Sequence, residues 1–111
     1  MATIVNIAID QGTDFLTTIQ VADETGNVKD LSNCTARAQL RKTFSSHANT
    51  EFTIAIDNPD EGEIKISLDH ATTANLKQGR YVYDLHLLTE NNLSIERITE
   101  GIATVYPGVT R

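Results

Sequence analysis

Tryptophan is absent from this 111-residue chain, cysteine and methionine occur once each, proline twice, and aromatic residues make up only 5%. The single thiol, Cys34, excludes an intrachain disulfide and a multi-cysteine zinc site; set between Asn33 and Thr35, it reads as a packed structural residue. No apolar run approaches the roughly 18 residues that a membrane-crossing helix needs, so no membrane partner is expected. Basic residues are few: nine Lys plus Arg face fifteen Asp plus Glu, for a net charge of −6. That is the wrong sign for a protein that binds by neutralising phosphates, and no nucleic-acid partner is expected. The first residues lack a basic region followed by a long apolar one, and Asp10 comes soon after, so no signal peptide is expected. Without a Pro/Ser-rich linker, an internal repeat or a low-complexity tract, there is no boundary to place, and residues 1–111 read as one domain. A chain of this mass exposes roughly 6,000 Å² folded against about 18,000 Å² extended, enough burial for one core without disulfides or metals.

What is present is alternation with period two. Ile4, Val5, Ile7 and Ile9 form a β-branched run that stops at Asp10-Gln11-Gly12. In residues 13–21, Phe15, Thr17, Ile19 and Val21 share one face of a second strand. Residues 35–43 alternate strictly, with Ala36, Ala38 and Leu40 inward and Arg37, Gln39 and Arg41 outward; a helix would mix Arg37 and Leu40 on one face. Phe52, Ile54 and Ile56, then Ile64, Ile66 and Leu68, flank a turn at Asn58-Pro59 and Gly62 and predict a hairpin. Asp69 is placed to cap a short helical crossover turn that drops Leu76 onto the core and stops at Gly79. Tyr81, Tyr83, Leu85 and Leu87 mark the inner face of a sixth strand, and Asn91-Asn92 turns into a seventh over residues 93–106. Gly101 inside that last strand signals a bulge or a close backbone approach, which leaves the faces beyond Ile98 open. Seven short strands at this spacing predict an all-β, seven-stranded antiparallel immunoglobulin-like sandwich with one short helical crossover turn. A five-stranded barrel is the alternative, needing the same alternation and fewer breaks.

The search for chemistry finds little. Asp84 and His86 are two apart on one strand face, yet hydrolysis also needs a nucleophile and an oxyanion donor. Asp57, Asp60, Glu61 and Glu63 crowd one turn without the spacing of a calcium loop. Arg37, Gln39 and Arg41 form a basic stripe that is expected to pair with acids of a neighbouring strand, such as Glu96 or Glu100, or to meet a carboxylate-bearing partner. No phosphate-binding loop, nucleophile elbow or Cys-His pair occurs. No catalytic residue, cofactor or metal is therefore expected, and no enzyme activity. As interaction surfaces the sequence offers the first strand with Ile4, Val5 and Ile7, the stripe Arg37, Gln39 and Arg41, and a C-terminal arm with Val109, Thr110 and Arg111.

Four blocks, Asp10-Gln-Gly-Thr-Asp-Phe15, Leu31-x-x-Cys-Thr-Ala-Arg-Ala-Gln-Leu-Arg41, Leu76-Lys-Gln-Gly-Arg-Tyr-Val-Tyr-Asp-Leu85 and Gly101-Ile-Ala-Thr-Val-Tyr-Pro-Gly-Val-Thr-Arg111, span most of the chain. In this order they resemble small structural proteins of tailed bacteriophages, including T4-like phages of cyanobacteria, and sandwich domains of phage baseplate proteins. The resemblance implies a virion component of the tail, neck or baseplate, made in the host cytoplasm. It implies other virion structural proteins as partners, leaves room for a homo-oligomer, and carries no catalytic residues. A sandwich module that binds a glycan or cell-surface ligand is the alternative; it usually exposes aromatic platforms, whereas Phe15, Phe52, Tyr81 and Tyr83 are assigned to the core.

Overall fold

The computed structural model describes residues 3–22, 25–43, 45–89 and 94–109. The Asn91-Asn92 turn, part of the acidic turn at Asp23 and Glu24, and the terminal Thr110 and Arg111 lie outside the described residues. Among the described residues nine strands form: β1 (Thr3–Ile4), β2 (Ile7–Asp10), β3 (Phe15–Gln20), β4 (Thr35–Arg41), β5 (Thr50–Glu51), β6 (Thr53–Ala55), β7 (Glu63–Leu68), β8 (Gly79–Thr89) and β9 (Ser94–Tyr106). They build two sheets, β1-β9-β8-β4-β5 with β2 also on β9, and β3-β7-β6. Fully buried side chains of both sheets meet between them, Ile9, Leu40, Leu85, Leu87 and Val105 from the first and Ile64 and Ile66 from the second. This is the expected all-β sandwich.

One expected strand is divided and another is preceded by an extra strand. The first breaks at Val5-Asn6 into β1 and β2, and the fourth gains a forward piece, β5, that lies in the other sheet from β6. Phe52, between β5 and β6, is the crossing point; its N–H donates to Ala38 O at 3.0 Å, and its ring sits 6.1 Å from that of Tyr83. Among the described residues the antiparallel expectation holds for all pairings but two: β1 and β2 both run parallel to β9, with Thr3 opposite Thr99 and Ile9 opposite Val105. A hairpin-like strand order does not constrain a first strand that joins the sheet beside the last one, and its direction is set by which edge it covers.

The local chemistry explains the connections. Asp69 accepts from Thr72 N–H at 2.8 Å and caps a short helix, α1 (His70–Ala74), and Leu76 is buried as expected. The helix ends at Asn75 rather than Gly79, which instead opens β8. In the β6-β7 hairpin, a single 3₁₀ turn over Pro59–Glu61 ends at Gly62 with φ +68°. A Cβ on Gly62 would lie 2.8 Å from both Val21 O and Lys29 O, so the position demands glycine for space as well as for backbone conformation. Gly62→Ala is therefore expected to cost about 2 kcal/mol, from strain at positive φ plus a clash with two carbonyls; a chemical melt unchanged from the parent would contradict this.

Of the two irregularities expected in the last strand at Gly101, the close approach is there and a bulge lies three residues earlier. The register of β8 with β9 shifts between Leu85 and His86, opposite Thr99 and Arg97, so that the bulged residue is Ile98. Gly101 is the close approach: Val5 O lies 2.1 Å from where its Cβ would be. That carbonyl accepts from the Tyr83 hydroxyl, while Asn6 Oδ1 takes the Ile102 N–H at 3.0 Å, standing in for the strand backbone at the break.

Candidate functional site

The outer face of the β5-β4-β8-β9 sheet is ordered in rows across the strands. One row holds Glu51, Gln39, Asp84 and Glu100; the next holds Arg37, His86 and Arg97. These are flanked by Val82 with Ile102 on one side and Leu88 with Ile95 on the other. The bulge at Ile98 makes the second row possible, since it turns Arg97 and Glu100, three apart, to the same side. Neighbouring rows pair: Arg37 Nη2 meets Glu51 Oε1 at 2.8 Å, His86 Nε2 meets Asp84 Oδ2 at 3.3 Å, and Arg97 Nη2 meets Glu100 Oε2 at 2.9 Å. Gln39 donates to Glu51 at 2.6 Å, and this bond, with Arg37 after it, holds the Glu51 carboxyl below its ordinary value.

The basic stripe is thus present and outward, but its partners differ from those expected. Strand β4 lies between β8 and β5, so Glu51 is within reach of Arg37, whereas Glu96 and Glu100 stand on β9, one strand further away. Glu96 pairs with Lys29 at 3.7 Å. Arg41 is tied down, donating to Gln39 Oε1 at 2.8 Å and to the carbonyls of Ser46 and His47. Asp84 and His86 do form a pair, in a shallow groove of about 170 Å³ lined also by Arg37, Gln39, Leu88 and Ile95, a set without serine, threonine or cysteine. His70 meets Asp14 at 2.9 Å rather than Asp69, and its hydrogen bonds hold the Asp14 carboxyl below its ordinary value. Around the acidic turn, Asp57 pairs with Lys65 at 3.1 Å, and among the described residues no three His, Cys, Asp or Glu side chains gather as metal ligands. Cys34 is half-buried against the core, as expected of a packed thiol.

A second surface lies at a sheet edge. β3 is one of the two edge strands of the small sheet, while β1 joins β9 in the other sheet, and residues of both line a cleft of about 840 Å³. The cleft is lined by Thr3 and Val5, by Thr18 to Ala22, by Lys29 and by Glu96 to Thr99. The register of β3 on β7, continued by Val21 N–H to Gly62 O at 2.8 Å, turns the backbone groups of Phe15, Thr17 and Ile19 toward β7. Those of Leu16, Thr18 and Gln20 point to the cleft side and meet no backbone partner among the described residues. From 15 to 21 the strand, Phe-Leu-Thr-Thr-Ile-Gln-Val, has no charge, proline or glycine to guard it.

No family model matches the chain, and no curated protein is similar to it in sequence. Solved structures are similar in fold. The filamin domain of Lin-41 has a TM-score of 0.51 at 14% identity, over 91% of this chain and 84% of that one. A structure from work on cell-adhesive interactions of VGSC beta subunits gives 0.45 at 12%, over 93% and 92%. AggA, the major subunit of aggregative adherence fimbriae type I from Escherichia coli, gives 0.41 at 13%, over 91% and 89%. The chain is an immunoglobulin-like β-sandwich.

Of the interaction residues expected from sequence, Ile4, Arg37, Gln39 and Arg41 share the outer face of one sheet, Ile4 standing opposite Glu100. Ile7 instead packs against the core, and Val5 lines the cleft with its carbonyl engaged by Tyr83. Val109 is exposed beyond β9, and its neighbours Thr110 and Arg111 lie outside the described residues. The β3 edge is what sequence reading missed. Its signal was the uncharged stretch itself, but which strand becomes an edge depends on where the first strand pairs, and alternation does not encode that.

Proposed function

We propose that the chain is a non-enzymatic structural component of a tailed-phage virion, in the tail, neck or baseplate, and that it docks on other virion proteins. The observation that carries this reading is the edge of β3, which has no further strand beside it among the described residues: its outward N–H and C=O groups next to a cleft of about 840 Å³ form a template for an extended segment of another chain. The resemblance of its four sequence blocks to phage structural proteins supplies the setting. The glycan-binding alternative is less well supported, because Phe52 and Tyr83 are buried, Phe15 and Tyr81 pack against the core, and Tyr106 is the one aromatic with half its surface exposed among the described residues.

Mass spectrometry of purified particles of the encoding phage tests the setting: a fixed stoichiometry is expected, and absence from the particles refutes it. Thr18→Pro tests the edge. It removes an N–H that faces the cleft and leaves the β7 ladder intact, so the domain is expected to stay folded while incorporation falls at least about tenfold. Normal uptake of the folded variant would move the contact elsewhere. Deleting residues 2–9 is not an equivalent test, since it removes Ile9, a fully buried core residue.

A further inference from the structure

We propose that the chain forms a two-fold symmetric dimer through the outer face of the β5-β4-β8-β9 sheet, with a second copy of itself as the occupant. The argument is charge register. On β8 and β9 this face reads along the strands as four rows, Val82 and Ile102, then the acids Asp84 and Glu100, then the bases His86 and Arg97, then Leu88 and Ile95, and β4 adds Arg41, Gln39, Arg37 and Thr35 to them in the same order. The order is its own complement. A two-fold axis lying in the interface, parallel to the rows and midway between the acidic and basic ones, exchanges first with fourth and second with third. It sets each acidic row against the basic row of the other copy and each apolar row against the other copy's apolar row. An axis parallel to the strands would instead place acid on acid and base on base, which costs several kcal/mol. The face therefore selects one arrangement, with strands antiparallel across the interface: His86 over Asp84, Arg97 over Glu100, Val82 over Leu88 and Ile95 over Ile102, each contact made twice as a closed two-fold requires.

Three further observations support it. Ile95 and Ile102 are 62% and 41% exposed although they sit in a sheet, and the dimer covers both. The charged pairs on the face are partly exposed within one copy, so their free sides remain open to a partner. Four rows about 7 Å apart on β4, β8 and β9, about 4.8 Å apart, cover roughly 28 by 14 Å, or about 400 Å² per copy, and the two-residue β5 adds little. The total of about 800 Å² is that of a small interface and points to a weak, transient dimer. Each copy carries −6, but that repulsion is screened beyond about 8–10 Å in ordinary buffers, so the contact pairs decide.

The experiment is sedimentation equilibrium on the purified chain from about 1 µM to about 1 mM. The wild type is expected to move from 12.2 kDa toward twice that mass. Arg97→Glu alone and Glu100→Arg alone each place like charges together at two points and are expected to weaken the dimer by roughly 100-fold or more. Mixed in equal amounts they restore it, because every 97–100 contact between the two variant chains joins opposite charges. A wild type that stays monomeric throughout, single variants that dimerise as well as the wild type, or a mixture no stronger than its parts would each overturn the proposal. Should either variant fail to fold, Ile95→Asp and Ile102→Lys carry the same mixing test at the apolar rows, with the same expected and overturning results. The readout needs only the isolated chain, so its failure leaves the virion reading standing, and the particle experiment leaves the dimer standing.

Discussion

Tyr83→Ala is expected to cost about 3–5 kcal/mol, the range for deleting a buried aromatic, and to lower the Tm by about 12–20 °C. Tyr83 is 3% exposed, its ring is packed 6.1 Å from Phe52, and Phe52 in turn lies 6.2 Å from Phe15. It stands opposite Gly101 on β9 and passes over that bare backbone to donate its hydroxyl to Val5 O, at the break between β1 and β2. One side chain thus joins the aromatic centre of the core to the first strand, across an intervening strand. Tyr83→Phe separates the two contributions. It keeps the ring and strands the Val5 carbonyl, for an expected loss of about 1–3 kcal/mol. Burial pushes the Tyr83 hydroxyl up to about 12 from its ordinary 10.0. The folded state then holds this proton more tightly than the unfolded chain, so the stability it contributes is complete below pH 10 and is lost as pH rises from about 10 to about 12. Denaturant melts in that window should show a decline in the wild type that is smaller in Tyr83→Phe. Equal declines would show that other groups govern the alkaline limb.

The inward faces of the tyrosines were legible in the sequence because strand alternation is local, although the reach of Tyr83 to Val5 was not. Tyr81, Tyr83, Leu85 and Leu87 follow a strict period of two, and Tyr81 ties its corner by donating to Lys77 O at 2.7 Å, four residues back. The hairpin at Asn58-Pro59 and Gly62, the Asp69 cap and the inward Ala36, Ala38 and Leu40 are local in the same sense. What sequence could not supply depends on pairing between distant segments. The parallel placement of β1 and β2 on β9 joins residues about 96 apart, and with it follow the uncovered edge of β3 and the reason for Gly101. The outer face is an intermediate case. Its β4 and β8 residues were read as outward, and Asp84 with His86 as a pair, but the rows need the β9 register, and that register turns on a bulge at Ile98 that no residue type announces. Arg37 likewise was assigned acids from the wrong strand because strand order, unlike strand face, is not written in alternation.

Gly101→Val is expected to cost about 4 kcal/mol, and the reason is position rather than backbone conformation. A Cβ there would stand 2.1 Å from Val5 O and 2.8 Å from Val5 C, both main-chain atoms that no rotamer change can move aside. The segment at Val5-Asn6 must leave, and three contacts go with it: the Tyr83 hydroxyl to Val5 O, Val5 N–H to Glu100 O at 2.9 Å, and Ile102 N–H to Asn6 Oδ1 at 3.0 Å. Overpacking of this kind costs about 1–3 kcal/mol and a stranded buried carbonyl about 1–3 more. Gly101→Ala isolates the clash, and general propensity works against the predicted sign, since alanine in a strand is favoured over glycine by about 0.5–1 kcal/mol. If Gly101→Ala is as stable as the parent, the close approach is not what fixes this residue. If it is destabilised as expected, hydrogen exchange should place the early loss of protection at Val5 and Ile102, while β2, anchored by the fully buried Ile9, keeps its ladder on β9 until the domain unfolds as a whole.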